Sequence, residues 1–237
     1  MALMKFDGVS FDWQALLDNS RKGGRRRKIS DDMAGAARRA YDEGVKVLEM
    51  RAVMEIYKKE ADDDEGITLS LPDGASERIY IGPRVGYLFP AHETAVLLCS
   101  VGEPLVTLMR DYAAAGDHLM MYYLDVLGVR ALAEVSARMR AHVESAAKEK
   151  GWGVGPSMQP GSVEGWGVQG QRDLYRLAHG ERIGLALNEA SFLIPHISDS
   201  AIIGMGPHYS ESRVGSMCHE CHRRDKCLWR RENVKEA

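Results

Sequence analysis

The sequence predicts an α+β fold: a twisted mixed or antiparallel sheet with long helices, followed by a cysteine-rich C-terminal tail. Three observations carry this expectation. Strand-like and helix-like segments are intermixed without a regular β-α-β-α beat, which disfavours a doubly wound fold. The run "TAVLLCSVG" is continuously apolar, as a buried strand is. From Asp117 to about Lys150 runs the longest helical pattern in the chain, without proline and with Gly128 as its one weak point.

The elements follow in order. "SRKGGRRRKIS" puts six positive charges between Arg21 and Lys28, two glycines among them, and residues 1–30 read as an arm. The run is a solvated flexible turn or a dock for an acidic partner. Ser30, followed by Asp31 and Asp32, starts a helix with a capping hydroxyl and first-turn acids. Ala37, Ala40, Tyr41, Val45 and Leu48 then recur at helical spacing despite Gly44. In "ITLSLPDGASERIYI" two β-rich pieces flank Pro72-Asp73-Gly74, which reads as a hairpin or meander. "EPLVTLMRDYAAAG" is helical. "GWGVGPSMQPGSVEGWG" is a long glycine- and proline-rich loop of the kind that carries function. A helix is expected from Gln169 to Ala178, then strands around "IGLALNEASFLI" and "SDSAIIGMG". The division expected is residues 1–60 for arm and helix, 61–207 for the α+β domain and 208–237 for the tail.

Composition sets outer limits. Hydrophobic residues make up 45% of 237, enough for a sizeable core. The net charge of −3 argues against whole-surface attraction to nucleic acid or anionic lipid. No apolar run approaches the roughly 20 residues that span a bilayer. Lys5, Asp7 and Asp12 stand where a signal peptide would be apolar, so a cytoplasmic protein is expected.

The loop from Gly151 to Gly170 has binding character. Its glycines let a backbone approach a ligand, Trp152 and Trp166 offer flat apolar faces, and Glu164 suits a cation. The plainer role of the tryptophans is to anchor the loop. Three of the chain's four cysteines, Cys218, Cys221 and Cys227, have the spacing C-x2-C-x5-C, with Arg223, Arg224 and Lys226 among them. Such a pair chelates one centre, and nearby positive charge favours thiolates. An iron–sulfur cluster wants about four cysteines, which leaves Cys99, in the apolar strand, as the fourth. Zinc accepts mixed ligands in a tetrahedron, and His222 would complete it locally. Free thiols are the third option. The tail's arginines suit phosphate, but Glu211, Glu220, Asp225, Glu232 and Glu236 dilute that field.

Three segments together resemble the activation domain of cobalamin-dependent methionine synthase and its stand-alone relatives. They are "AVLLCSVGEPLVTLMRDYAAAGDHLMMYYLDVLGVRALAEVSARM", "MQPGSVEGWGVQGQRDLYRL" and "IGLALNEASFLIPHISDSAIIGMGP", in matching order from about Ala95 to Pro207. The resemblance implies a domain that docks on a corrinoid-binding protein and supports its reductive reactivation or methyl transfer. It implies a site for S-adenosylmethionine at Gln159, Pro160, Gly161, Ser162, Glu164, Trp166 and Glu189. It also favours iron–sulfur in the tail, because a corrinoid activator passes single electrons and zinc does not. Two departures count against S-adenosylmethionine. Gln159 replaces an arginine, and an amide lacks the bidentate charge of a guanidinium. Leu187-Asn188-Glu189-Ala190 replaces Leu-Thr-Glu-Ser, while Glu189, Pro195, Ser198 and Ser200 match.

Overall fold

The apolar run around residue 97 forms β5 (Glu93–Ser100), the middle of the molecule, in a computed structural model that describes residues 2–17, 29–221 and 225. β5 is antiparallel to β2 (Arg51–Asp62) on one side and to β9 (Ser198–Gly206) on the other. The sheet continues outward from β2 through β3 (Gly66–Ser70) to β4 (Ser76–Tyr80), and from β9 to the short β6 (Gly153–Val154). β1 (Ala2–Lys5) pairs with the first residues of β2, and β3 pairs with its last. Every pairing between these strands is antiparallel, which settles the mixed-or-antiparallel alternative.

Period-two alternation gives the central strands β5 and β9 two buried faces. Ala95, Leu97 and Cys99 of β5 face the helices with Ala201 and Ile203 of β9. Val96, Leu98 and Ile202 face the opposite core with Trp166, Leu174 and Met217. An antiparallel strand covered on both sides reads as an unbroken apolar run, as parallel strands usually do.

The helical layer is α1 (Gln14–Leu17), α2 (Asp31–Gly44), α3 (Glu103–Ala114) and α4 (His118–Glu149). The Ser30 hydroxyl accepts a hydrogen bond from the Met33 amide at 3.2 Å, so the expected cap is present. Asp117 caps α4 in the same way through Met120, at 3.0 Å. The two glycines that looked like weak points lie where helices approach closely. A methyl at Gly44 would meet the Leu127 side chain of α4, and one at Gly128 would stand 2.8 Å from Leu105 Cδ2 of α3.

Three expectations differ from the fold. Residues 2–17, read as arm, carry β1 and α1, and Leu16 and Leu17 are buried in the helix-side core. The basic run at residues 21–28 lies outside the described residues. The boundary expected at residue 60 falls inside β2. The strand expected over "IGLALNEASFLI" follows a 3-10 turn, Gly180–Ile183, and is a hairpin of two-residue strands, β7 (Ala186–Leu187) with β8 (Leu193–Ile194). Its turn is local polar chemistry: the Asn188 side chain accepts from the Phe192 amide at 2.9 Å, and Ser191 adopts φ 68°. Among the described residues no helix is long and apolar enough to cross a membrane.

Candidate functional site

The glycine-rich loop leaves β6 and is pinned at once to the sheet. Met158 exchanges backbone hydrogen bonds with Ile202 of β9 at 3.0 and 2.9 Å, so Gln159 emerges beside β9. The next residues curl tightly. The Gly161 amide donates to Trp166 O at 2.8 Å, and the Ser162 amide donates to Gln159 O at 3.2 Å. Trp166 closes the curl with its ring in the core, 2% exposed. Gly165, at φ +79°, lies against Pro83, and a methyl there would collide with the proline ring. This close approach brings the loop to Arg84, whose Nη2 pairs with Glu164 Oε2 at 2.6 Å.

A cleft of about 520 Å³ opens between this loop and the start of β9. Gln159, Pro160 and Ser162 form one wall. Phe192, Leu193 and His196, from the β8 hairpin and the turn after it, form the second. Ser198, Asp199 and Ser200 lie along the floor, Gln171 opens α5 (Gln171–Leu177), and Cys218 completes the rim from the tail. The Oε1 atom of Gln171 is buried and takes no hydrogen bond from a described residue, so a ligand donor would satisfy it. No lysine or arginine lines this cleft among the described residues.

Beneath the floor, the Ser136 hydroxyl donates to Asp199 Oδ2 at 3.1 Å and lies 3.3 Å from Cys99 Sγ. Cys99 is 4% exposed, and burial first, then the Asp199 charge, pushes its thiol up to about 12. That environment favours the protonated thiol of a core residue over a thiolate ligand. Beside the cleft, burial raises the Asp125 carboxyl above the usual carboxylate range, while nearby His196 pulls it down. A carboxyl raised in the folded state stabilises the fold below its unfolded pKa and loses that contribution as pH climbs. Asp125→Asn is therefore expected to raise the thermal midpoint at pH 7 and to leave it unchanged near pH 3, measured by calorimetry.

The tail returns across the loop. The Val214 amide donates to Glu144 Oε1 at 2.8 Å, Ser216 bridges to Ser157, and Met217 is buried. The Cys218 amide then donates to Ser216 Oγ at 3.1 Å. Glu220, between Cys218 and Cys221, meets Arg84 Nη2 at 2.8 Å and accepts from the Tyr87 hydroxyl at 3.3 Å.

The expected site residues therefore divide. Gln159, Pro160, Ser162 and Cys218 meet at one cleft. Trp166 is a core anchor, and Glu164 is engaged by Arg84. Glu189 is exposed on the β7–β8 hairpin, where Arg172 donates to its carbonyl at 2.7 Å. Gly161 is exposed on the outer side of the curl. Cys227 and His222 lie outside the described residues. Among the described ones, no three His, Cys, Asp or Glu stand close enough together to hold a metal ion. Sequence reasoning did not single out Arg84, Gln171 or Asp199. Asp199 carried a signal, as the lone charge in β9, set between Ser198 and Ser200.

No protein-family model matches the chain, and a search of curated proteins finds no match. The fold does have solved counterparts. One is the crystal structure of the MetH reactivation domain bound to AdoHcy, with a TM-score of 0.61 and 12% sequence identity, covering 90% of this chain and 81% of that one. At that identity the likeness is one of fold.

Proposed function

We propose that the chain docks on a corrinoid-carrying protein and supports its reductive reactivation or methyl transfer. The cleft between the glycine-rich loop and β9 would take an S-adenosyl ligand, and the tail cysteines would hold an inorganic centre at its rim. The observation that carries this reading is the meeting of Gln159, Pro160 and Ser162 with Cys218 on one cleft. A fold shared with a reactivation domain that binds AdoHcy supports it. The buried acceptor of Gln171 suits an adenosyl or ammonium donor. Phe192 and Ile194, 55% and 45% exposed beside the cleft, suit a partner surface.

The tail fits a metal in part. Cys218 and Cys221 are half-buried and three residues apart, as the first two ligands of a thiolate site are. With Cys227 and a fourth ligand they would hold an iron–sulfur centre, which supplies single electrons. A second reading is favoured by the absence of a guanidinium at residue 159: a docking or assembly subunit with a structural zinc site and no small-molecule ligand.

Protein purified without oxygen separates the two. The first reading expects bound iron with visible absorption, calorimetric binding of S-adenosylhomocysteine, and, with an added low-potential reductant as electron source and S-adenosylmethionine as methyl source, faster return of an oxidised corrinoid protein to its methylated form. A colourless protein with one zinc, binding the corrinoid protein but no nucleoside, establishes the second. A protein that binds no corrinoid carrier overturns both.

A further inference from the structure

The geometry points to Arg84 as the positioning residue that latches the cysteine tail to the cleft loop. Arg84 follows Gly82 and Pro83, the segment on which Gly165 rests, so its guanidinium emerges between loop and tail. One nitrogen, Nη2, reaches both segments: Glu164 Oε2 of the loop at 2.6 Å and Glu220 Oε2 of the tail at 2.8 Å. Its Nε is buried without a hydrogen-bond partner among the described residues, so the two carboxylates are what hold the group in place. The two bonds are unequal. The Glu164 side chain is 64% exposed, whereas Glu220 is 23% exposed and also takes the Tyr87 hydroxyl. The tail-side bond is the less screened of the two.

The consequence falls on the thiols. Glu220 lies two residues after Cys218 and one before Cys221, so holding its carboxylate fixes the turn that carries both sulfurs. Upstream, the tail is pinned by the Ser157–Ser216 bridge and by buried Met217. Arg84 extends that fixation past residue 217. The inference takes from the proposed function only the purpose of the cleft, since the latch itself is protein geometry.

The test is the rate at which iodoacetamide alkylates Cys218 and Cys221 in the full-length, reduced, chelator-treated protein, read by peptide mass spectrometry. Arg84→Met and Glu220→Gln are each expected to raise the rate at Cys221 by about fivefold, the scale of one partly buried ion pair. Arg84→Lys is expected to restore part of the protection. For Arg84→Met the sign discriminates, because loss of a nearby cation would by itself make the thiols less reactive; Glu220→Gln removes an anion and raises thiol reactivity on electrostatic grounds alone, so the Arg84→Met rate decides. Rising salt is expected to speed alkylation of the wild type and to leave Arg84→Met unchanged. The inference is overturned if both variants stay within about twofold of wild type, or if salt has no effect on the wild-type rate. No nucleoside or corrinoid enters the assay, so a latch that works beside a cleft that binds nothing, or the reverse, is read directly.

Discussion

Trp166→Ala is expected to cost about 3–5 kcal/mol of stability, read from chemical denaturation at neutral pH. The indole is 2% exposed among Leu174, Leu177, Val163 and Met217, and it joins the loop to the core under β5 and β9. Removing it leaves a cavity that the curl cannot fill, because the Gly161 amide and the Trp166 carbonyl hold the curl closed at 2.8 Å. Trp166→Phe is expected to cost less, about 1–2 kcal/mol. The indole N–H has no partner among the described residues, so phenylalanine sacrifices no hydrogen bond. The pair of variants separates an anchor from a ligand platform. If Trp166→Phe kept its stability and lost binding of S-adenosylhomocysteine, the ring would be a binding surface and the anchor role would be wrong.

That contrast shows where the sequence was legible. β5, α4, the Ser30 cap and the Pro72-Asp73-Gly74 hairpin follow from local pattern, because periodicity, capping chemistry and turn chemistry act within a few residues. The β7–β8 turn was missed because Asn188 and Ser191 satisfy the backbone with their own side chains, which breaks an apolar run from within. β1 was missed because its partner is about fifty residues away: Leu3 pairs with Val53, and nothing local records that. In the site, the loop and the Ser198–Ser200 segment could be read from motif order. Which loop side chains face the cleft could not. Glu164 and Trp166 are both in the motif, but Arg84 and the lower core claim them through contacts distant in sequence.

The tail depends on the same kind of distant contact, and the second large effect is expected there. Gly204 of β9 lies under Tyr209, and a methyl at that position would collide with the tyrosine hydroxyl and stand 3.0 Å from Ala91 Cβ. That hydroxyl donates to Tyr87 O at 2.7 Å, and burial drives its pKa far above the ordinary tyrosine value, so it remains a neutral donor. Gly204→Ala is expected to cost about 2–3 kcal/mol, the scale of overpacking against a fixed neighbour. Tyr209→Phe removes the hydrogen bond and strands the Tyr87 carbonyl, at about 1–2 kcal/mol. The double variant removes the atom that the new methyl would strike. Its cost is therefore expected to fall short of the sum of the single costs by about 1 kcal/mol or more, a coupling that denaturation midpoints resolve. Strict additivity would mean that the methyl is accommodated elsewhere and that Tyr209 is not the constraint. Tyr209 is also where the chain turns back toward the loop and Cys218. Gly204→Ala at a temperature where it remains folded should therefore raise the alkylation rate of Cys218, whereas Gly35→Ala, in open space on α2, should leave that rate unchanged.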